Sequence, residues 1–335
     1  MVYIIAEAGV NHNGSLELAY QLIDIAVKSK ADAIKFQTFN SNKLVSGKAE
    51  KAEYQKETTG KNETQIEMLK KLELSYDNFR LISKKCKEVG IEFISTPFDL
   101  DSVDFLDSLG VTTFKVGSGD LTNFLLLKKI AEKNKKIILS TGMSSMDEVK
   151  KSVNFIKKHS SNELVVLHCV SCYPTNKEDL NLNCIKTMKN ELNIPIGFSD
   201  HTKNEVASLY SVCAGATYIE KHFTINKNME GPDHRSSLNP EELNNFVEKI
   251  RECEIMLGNG DKKCTENEEK NKKVVRRSLF FSKDLKKGDI ICEKDLIALR
   301  PYNGICVSKF GEILGKQLIQ DVKMNSYVKS ILFKQ

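Results

Sequence analysis

Short apolar, β-branched runs alternate with helix-length amphipathic stretches along most of this 335-residue chain. This alternation is typical of βα units arranged around a parallel sheet. Eight runs fit as strands, at residues 3–6, 33–36, 92–95, 113–116, 136–140, 164–168, 195–198 and 218–222. Eight units in about 260 residues match a (β/α)8 barrel, whereas a doubly wound open sheet usually has fewer strands. The sequence therefore predicts an α/β fold built on a (β/α)8 (TIM) barrel.

The segments between these runs have the spacing of amphipathic helices. In residues 15–30 a capping serine precedes apolar residues three or four positions apart, and residues 239–257 repeat the pattern. Residues 41–74 break the rhythm, because they are polar, rich in lysine and glutamate, and longer than an ordinary βα loop. Two interpretations stay open for them: a helical excursion over the mouth of the barrel, or a solvated insertion.

The pattern changes near Gly258, which indicates a domain boundary. Residues 261–273 are almost all charged or polar, as in a linker. The tail contains short apolar runs at 278–281, 290–292 and 296–299, so we expect it to be mostly β. We predict a barrel at 1–260, a linker at 261–275 and a small domain at 276–335. So short a domain has a marginal core, and we expect it to pack on its own barrel or a partner's.

The composition excludes several classes of protein. Fifty Lys and Arg against 45 Asp and Glu give a net charge of +5 with both signs interspersed, so we expect no nucleic-acid surface. The opening run MVYIIAEAGV lacks a basic region and breaks at Glu7, so we expect neither a signal peptide nor a membrane anchor. Nine scattered cysteines predict free thiols in a reducing cytoplasm, and Cys169 and Cys172 are interpreted as small core residues.

Ionisable residues recur where the predicted strands end. Glu7, Lys35, Lys115 and Glu220 lie within or directly after apolar runs, and hydroxyl or imidazole side chains follow most of the others. Barrels of this kind form their active sites at the carboxyl ends of the strands. Because a buried charge is costly unless it is paired or functional, this recurrence predicts a catalytic ring.

Two strand lysines, Lys35 and Lys115, are surrounded by hydroxyls and glycines. A phosphate needs positive charge and many hydrogen-bond donors, so this combination predicts a phosphorylated substrate. The alternative is that either lysine pairs with a carboxylate such as Glu7.

Two histidines, His201 and His222, end neighbouring strands, and this placement predicts a shared divalent cation. Glu220 lies two residues before His222 and therefore on the same strand face, where it can complete the metal shell or bind a metal-held water. His168 is interpreted as a structural histidine.

Several longer motifs resemble one known family. The runs IAEAGVNHNGS, KFQTF, STPFD, LSTGM, FSDHT, EKHFT and GPDHRSSLNP, in this order, resemble the bacterial sialic acid synthase family over nearly the whole chain. The later stretch from SLFFSKDLKKGDII through ALRPYNGI resembles the antifreeze-like (SAF, β-clip) domain that follows the barrel in these synthases.

The resemblance implies condensation of phosphoenolpyruvate with an open-chain N-acetylmannosamine-type sugar, with release of phosphate. It implies that His201 and His222 hold a divalent metal ion, with Mn²⁺ as the expected ion and Mg²⁺ or Co²⁺ as alternatives. It also implies that Glu7 or Glu220 transfers the proton. The residues implied for phosphoenolpyruvate are Lys35, Thr96, Lys115, Ser118, Ser140 and Ser199.

The resemblance also implies an amino-sugar site and a homodimer. The implied sugar contacts are Gln37, Asp120, Tyr173, Asp233 and Arg300. In these enzymes the small domain crosses to the other subunit, so Arg300 would reach the sugar bound there. The strings KVGSGD and CVSCYPT depart from the usual K-I-P-S-G-E and C-T-x-Y-P-T, and we expect Ser171 and Cys172 to alter the wall near the sugar.

Other functions are weighed against this one. A legionaminic acid synthase performs the same condensation on 2,4-diacetamido-2,4,6-trideoxymannose, and a pseudaminic acid synthase fits the motifs less well. A Schiff-base aldolase would use Lys115 or Lys221. A non-catalytic protein, with a degenerate barrel and a C-terminal binding module, is disfavoured because the ionisable residues at the strand ends are intact.

Overall fold

The computed structural model of the chain describes residues 1–46, 49, 51, 55–56 and 63–334. The chain forms two compact units, Met1–Gly258 and Asn259–Gln335. Each unit has a hydrophobic core of its own.

The first unit is a closed barrel of eight parallel strands in sequence order, as predicted. The strands are β1 Tyr3–Gly9, β2 Ala33–Thr38, β3 Glu92–Pro97, β4 Thr113–Val116, β5 Lys136–Ser140, β6 Leu164–Cys169, β7 Ile196–Asp200 and β8 Tyr218–His222. Strand β1 pairs with both β2 and β8, which closes the barrel. The eight predicted runs coincide with these strands to within a few residues.

Helices follow the strands, and most of them pack on the outside of the barrel. They are Leu16–Lys28, Ser41–Leu44, Gln65–Leu72, Tyr76–Val89, Leu100–Leu109, Phe124–Ala131, Met146–His159, Asn183–Leu192, Val206–Cys213 and Pro240–Leu257. Ser15 caps the first helix, and Asn239 with Glu242 forms a capping box at the last. Both caps stand at the starts that the sequence predicts.

Alternation along the strands sorts side chains into two cores. One set, including Ile4 and Ala6, packs outward against the helices. The other set points into the barrel, where an apolar cluster fills the interior. That cluster consists of Ile5, Ala33, Ile94, Ile138, Val165 and Leu167, with Tyr3 and Tyr218 against it. The polar residues further along each strand are thereby placed above this apolar layer, at the carboxyl ends.

The atypical segment at 41–74 contains two helices among its described residues, Ser41–Leu44 and Gln65–Leu72. Met68 and Leu72 pack against Val10 and Phe39, which follow β1 and β2. This part of the segment therefore folds onto the carboxyl-terminal end of the barrel, in agreement with the helical interpretation. The centre of the insertion, residues 47–48, 50, 52–54 and 57–62, lies outside the described residues.

The second unit contains a two-stranded antiparallel sheet of β9 Ser278–Phe281 and β10 Leu296–Leu299. Residues 290–292, predicted as a strand, contribute only an isolated bridge from Ile290 to Gln317. Residues 261–275, predicted as a linker, include the helix Glu266–Val275, which Thr265 and Glu268 begin with a capping box. The polar composition concealed this helix, because it buries none of its residues.

None of the helices in the described ranges is long and apolar enough to cross a membrane. Each of the nine cysteines is a free thiol.

Candidate active site

Two lysines and two glutamates form a buried charge cluster at the carboxyl ends of the strands. Strand register places Glu7 beside Lys35. The Lys35 Nζ lies 2.7 Å from Glu7 Oε1 and 3.7 Å from Glu220 Oε2. The Lys115 Nζ lies 3.6 Å from Glu220 Oε1. We call Glu7, Lys35, Lys115 and Glu220 the charge cluster; its ionised form has no net charge.

The two carboxyl groups of the charge cluster have opposite pKa shifts. Burial raises the pKa of Glu7 to about 7, although Lys35 opposes the rise and the charge of Glu220 adds to it. Burial also acts to raise the pKa of Glu220, but Lys115 and Lys35 outweigh it and hold this pKa at about 2. Near neutral pH Glu7 therefore exchanges a proton, whereas Glu220 stays ionised.

The two lysines also differ. Burial acts to lower the pKa of Lys35, but Glu220 and Glu7 outweigh it and leave this pKa raised. Burial lowers the pKa of Lys115 despite the nearby charge of Glu220. The alternative pairing of a lysine with Glu7 is thus realised by Lys35, and an entering anion must share Lys35 with that carboxylate.

Hydroxyl groups surround the charge cluster. Thr96 Oγ1 lies 3.4 Å from Lys35 Nζ, and Ser199 Oγ donates to Glu220 Oε1 at 2.9 Å. Ser118 Oγ accepts from the backbone N–H of Gly142 at 2.9 Å. Ser140 Oγ is buried without a hydrogen-bond partner. These four hydroxyls belong to the set that the resemblance implies for phosphoenolpyruvate.

Gly142 and Ser171 extend this hydroxyl group. A Cβ at position 142 would collide with Ser171 Oγ and stand 2.9 Å from Ser118 Oγ, so a side chain there would displace these hydroxyls. The structure therefore places Ser171 beside Ser118, the residue expected at the phosphoenolpyruvate site. The expectation that Ser171 alters the wall near the sugar stays a prediction.

The two predicted metal ligands lie together. The ring centroids of His201 and His222 are 5.5 Å apart, and the Tyr173 ring lies 4.0 Å from that of His201. The Nδ1 of His201 is 2.8 Å from the carbonyl oxygen of Val170, so Nδ1 carries a proton, and in the neutral ring Nε2 has a lone pair. The Nδ1 of His222 is buried without a hydrogen-bond partner, and burial with the charge of His201 lowers the pKa of His222 well below its ordinary value.

These imidazoles fit a divalent cation that takes two protein ligands and completes its shell with other oxygen donors. Among the described residues, no group of three or more His, Cys, Asp or Glu is arranged to hold a metal ion. Asp233 Oδ2 lies 4.0 Å from His222 Nδ1, and burial raises the pKa of Asp233 to about 6.

The remaining predicted residues occupy different places. Gln37 Nε2 donates to Glu7 Oε1 at 3.3 Å and so lies at the charge cluster. Asp120 is in the turn after β4, where its carboxylate accepts from Asn123 Nδ2 at 2.9 Å. Arg300 follows β10 in the second unit and is exposed.

The two cysteines interpreted as core residues have different environments. Cys169 is buried, but its Sγ lies 3.8 Å from His201 Nδ1 at the site. Cys172 is exposed. Strand alternation would have revealed Cys169, because it lies two residues after the inward-facing Leu167.

Two other residues belong to structural contacts. His168 Nε2 is 2.7 Å from the carbonyl oxygen of Leu180. Lys221 Nζ pairs with Asp200 Oδ2 at 3.1 Å and donates to the carbonyl of Thr202. Lys221 alternates with Glu220 and His222 along β8, so it faces away from the charge cluster and is poorly placed for a Schiff base there.

The closed barrel, with charged and hydroxyl side chains at the carboxyl ends of its strands, defines a (β/α)8-barrel enzyme. Residues 22–262 match the NeuB family, and residues 276–329 match the SAF domain. The chain therefore belongs to the NeuB family, and it is a transferase.

Curated relatives span almost the whole chain. The chain is 45% identical over 328 residues to the N,N'-diacetyllegionaminic acid synthase of Campylobacter jejuni, covering 97% of this chain and 98% of that protein. It is 47% identical over 320 residues to the enzyme of the same name from Legionella pneumophila, covering 94% and 90%. Identity with the human N-acetylneuraminate-9-phosphate synthase is 38% over 282 residues, covering 82% and 78%.

A solved structure is also similar. The N-acetylneuraminic acid synthetase of Leptospira borgpetersenii, in complex with citrate, has a TM-score of 0.72 and 36% sequence identity, covering 81% of this chain and 90% of that one.

Proposed function

We propose that this enzyme condenses phosphoenolpyruvate with an open-chain N-acylated amino sugar and releases phosphate, forming a nonulosonic acid. The observation that carries the proposal is the buried charge cluster ringed by hydroxyls, in a chain that belongs to the NeuB family. Positive charge and converging hydroxyl donors are what a small phosphorylated carboxylate requires.

For the sugar, we propose 2,4-diacetamido-2,4,6-trideoxymannose, which makes the product a legionaminic acid. Support comes from the two relatives with 45% and 47% identity, which are both named N,N'-diacetyllegionaminic acid synthases. N-acetylmannosamine is the second candidate, because relatives with 36% and 38% identity are named for N-acetylneuraminic acid or its 9-phosphate.

In this proposal, Lys35 and Lys115 bind the anionic groups of phosphoenolpyruvate. Lys35 shares its positive charge between Glu7 and the substrate, with Thr96 beside it. The hydroxyls of Ser118 and Ser140 donate to the remaining oxygens. Ser140 is ready for this role, because its buried hydroxyl has no partner within the protein. Ser199, whose single hydroxyl proton is donated to Glu220, would have to exchange this acceptor for the substrate.

Glu7 is the carboxyl group that moves a proton. Its Oε1 is held by Lys35 and Gln37, whereas its Oε2 is buried without a hydrogen-bond partner and is the oxygen on which the proton would reside. The pKa of about 7 allows both protonation states near neutral pH. Glu220, with its pKa of about 2, keeps its charge and orients Lys115 and Ser199.

We also propose that His201 and His222 hold a divalent cation, with Mn²⁺ first and Mg²⁺ or Co²⁺ as alternatives. Such an ion would act as a Lewis acid on the sugar aldehyde. The free Nδ1 of His222 and the oriented ring of His201 support this assignment.

Removal of the metal should abolish activity. EDTA-treated enzyme is expected to regain turnover with Mn²⁺, and titration calorimetry should find one Mn²⁺ site per chain. His222→Gln should weaken Mn²⁺ binding at least about tenfold, because one of two protein ligands is lost. His159→Gln, at the end of a surface helix, is the matched control and should bind normally. Chelator-insensitive turnover with no Mn²⁺ binding would contradict the assignment.

Two assembly proposals follow from the family resemblance. We propose a cytoplasmic homodimer in which Arg300 of one subunit reaches the amino sugar bound by the other. Arg300→Ala should then raise the sugar KM without changing the melting temperature, since this side chain is exposed. An active monomer in light scattering, or unchanged kinetics in this variant, would exclude the crossing arrangement.

The reaction class is tested with phosphoenolpyruvate that carries ¹⁸O in the bridging position. Cleavage of the carbon–oxygen bond transfers this ¹⁸O into the released phosphate, and mass spectrometry should find it there. A Schiff-base aldolase would release no phosphate and would be trapped by borohydride with pyruvate at Lys115. Trapping at this lysine would replace the proposed mechanism.

A further inference from the structure

The turn after β1 is tied to the loop after β8 by a chain of side-chain hydrogen bonds. Asn13 Nδ2 donates to the carbonyl oxygen of Glu230 at 2.9 Å. Asn13 Oδ1 lies 3.1 Å from His234 Nε2, and Thr224 Oγ1 lies 2.6 Å from His234 Nδ1. We call Asn13, Thr224, Glu230 and His234 the loop clamp.

The loop clamp defines the tautomer of His234. Because the Asn13 amide nitrogen donates to a carbonyl, the amide oxygen faces His234 and accepts from it. His234 Nε2 therefore carries the proton, and Nδ1 accepts from the Thr224 hydroxyl. Burial lowers the pKa of His234 to about 4, so the ring is neutral near neutral pH and both of its nitrogens are satisfied.

The loop clamp is tightly packed. A Cβ at Gly231 would stand 2.6 Å from His234 Cδ2 and 3.0 Å from Asn13 Oδ1, and Gly231 has a φ of +152°. Only glycine fits this backbone and this space. At Gly231 the loop backbone therefore packs directly against the side chains of Asn13 and His234.

The loop carries Asp233, which directly precedes His234. A second chain of hydrogen bonds holds its backbone: Asn11 Nδ2 donates to Ser237 Oγ at 3.0 Å, and Ser237 Oγ donates to the carbonyl oxygen of Asp233 at 2.7 Å. The carboxylate of Asp233 is thereby kept next to His222. One tether from the turn after β1 thus ends on the backbone of Asp233, and the loop clamp holds its neighbour His234.

We propose that Asn13 and His234 are positioning residues that fix Asp233 for binding of the amino sugar, with Asn11 and Ser237 as the second tether. This inference rests on the proposed function, with Asp233 contacting the sugar as the family resemblance implies. The loop clamp acts on one end of the site only, because the phosphoenolpyruvate hydroxyls belong to other strands and loops. It should therefore influence the two substrates unequally.

Asn13→Gly tests this directly. Asn13 has a φ of +49°, which glycine adopts without strain, so the substitution removes the side chain and leaves the turn intact. We expect the KM for the sugar to rise about tenfold or more, which is the usual effect of removing a residue that orients a ligand-binding side chain. The KM for phosphoenolpyruvate should not rise to match. Asn193→Gly is the matched control, since Asn193 has a φ of +50° and is exposed at a helix end.

Two variants of His234 provide the rescue test. His234→Phe keeps the ring but loses both hydrogen bonds, and it should reproduce the sugar defect. His234→Gln keeps an N–H for Asn13 and should restore part of the affinity. Equal changes in both KM values, or no change in Asn13→Gly, would overturn the positioning role. Failure of the proposed function can be distinguished from failure of the positioning role, because the unmodified enzyme would then release no phosphate with any amino sugar.

Discussion

Lys35→Met should lower kcat/KM for phosphoenolpyruvate by about a thousandfold, the order expected when a preorganised electrostatic contact to a reacting anion is lost. Lys35 lies 2.7 Å from Glu7 and 3.7 Å from Glu220, so its removal also leaves two buried carboxylates near one cation. Breaking a buried ion pair costs about 3–5 kcal/mol of folding free energy. Steady-state kinetics and thermal unfolding would measure the two effects separately.

A double variant separates the loss of activity from the loss of stability. Lys35→Met with Glu7→Gln removes one charge of each sign and should recover stability but not activity. Lys136→Met is the matched control, because Lys136 is also a strand lysine but hydrogen-bonds to Tyr218 at the opposite end of the barrel. Near-normal turnover in a folded Lys35→Met protein would refute the assignment of Lys35 to the substrate anion.

Glu7→Gln should lower kcat by about a hundredfold to ten-thousandfold, the usual contribution of a group that transfers a proton. It should also alter proton uptake on substrate binding. An entering anion favours the protonated form of Glu7, whose pKa is already raised to about 7. At pH 8, calorimetry in buffers of different ionisation enthalpy should detect this uptake in the unmodified enzyme and not in Glu7→Gln.

The same raised pKa predicts a change in stability with pH. A carboxyl group whose pKa is higher in the folded state contributes stability below its unfolded pKa and loses it as the pH rises through about 7. The melting temperature of Glu7→Gln should therefore fall less between pH 5 and pH 8. Glu220→Gln should be inactive, and because the charge of Glu220 adds to the rise of the Glu7 pKa, its melting temperature should fall by an intermediate amount over this range. Identical slopes in all three proteins would contradict the proton role of Glu7.

The sequence predicts the barrel well, because each strand is a short apolar run between amphipathic helices and each buries both faces. The parallel register then brings together residues far apart in the chain, such as Glu7 with His222 and Ser199 with Glu220. The helix Glu266–Val275 escaped prediction because it has no apolar face, and apolar periodicity is the main signal for a helix.

The loop residues of the site were harder to predict than its strand residues. Strand residues follow a period of two, so Lys35, Lys115, Glu220 and His222 were found from the sequence. The positions of loop residues depend on tertiary contacts, which spacing does not encode. The proximity of Ser171 to Gly142 and the contact of Asn13 with His234 therefore had no signal in the sequence.

The central claim is that phosphoenolpyruvate is joined to an N-acylated amino sugar at the charge cluster. The most direct measurement is phosphate release from phosphoenolpyruvate with Mn²⁺, comparing 2,4-diacetamido-2,4,6-trideoxymannose with N-acetylmannosamine and with no sugar. We predict sugar-dependent release that is faster with the diacetamido sugar and about a thousandfold less efficient in Lys35→Met. Faster release with N-acetylmannosamine would identify a sialic acid synthase instead. Absence of release with either sugar would contradict the proposed condensation.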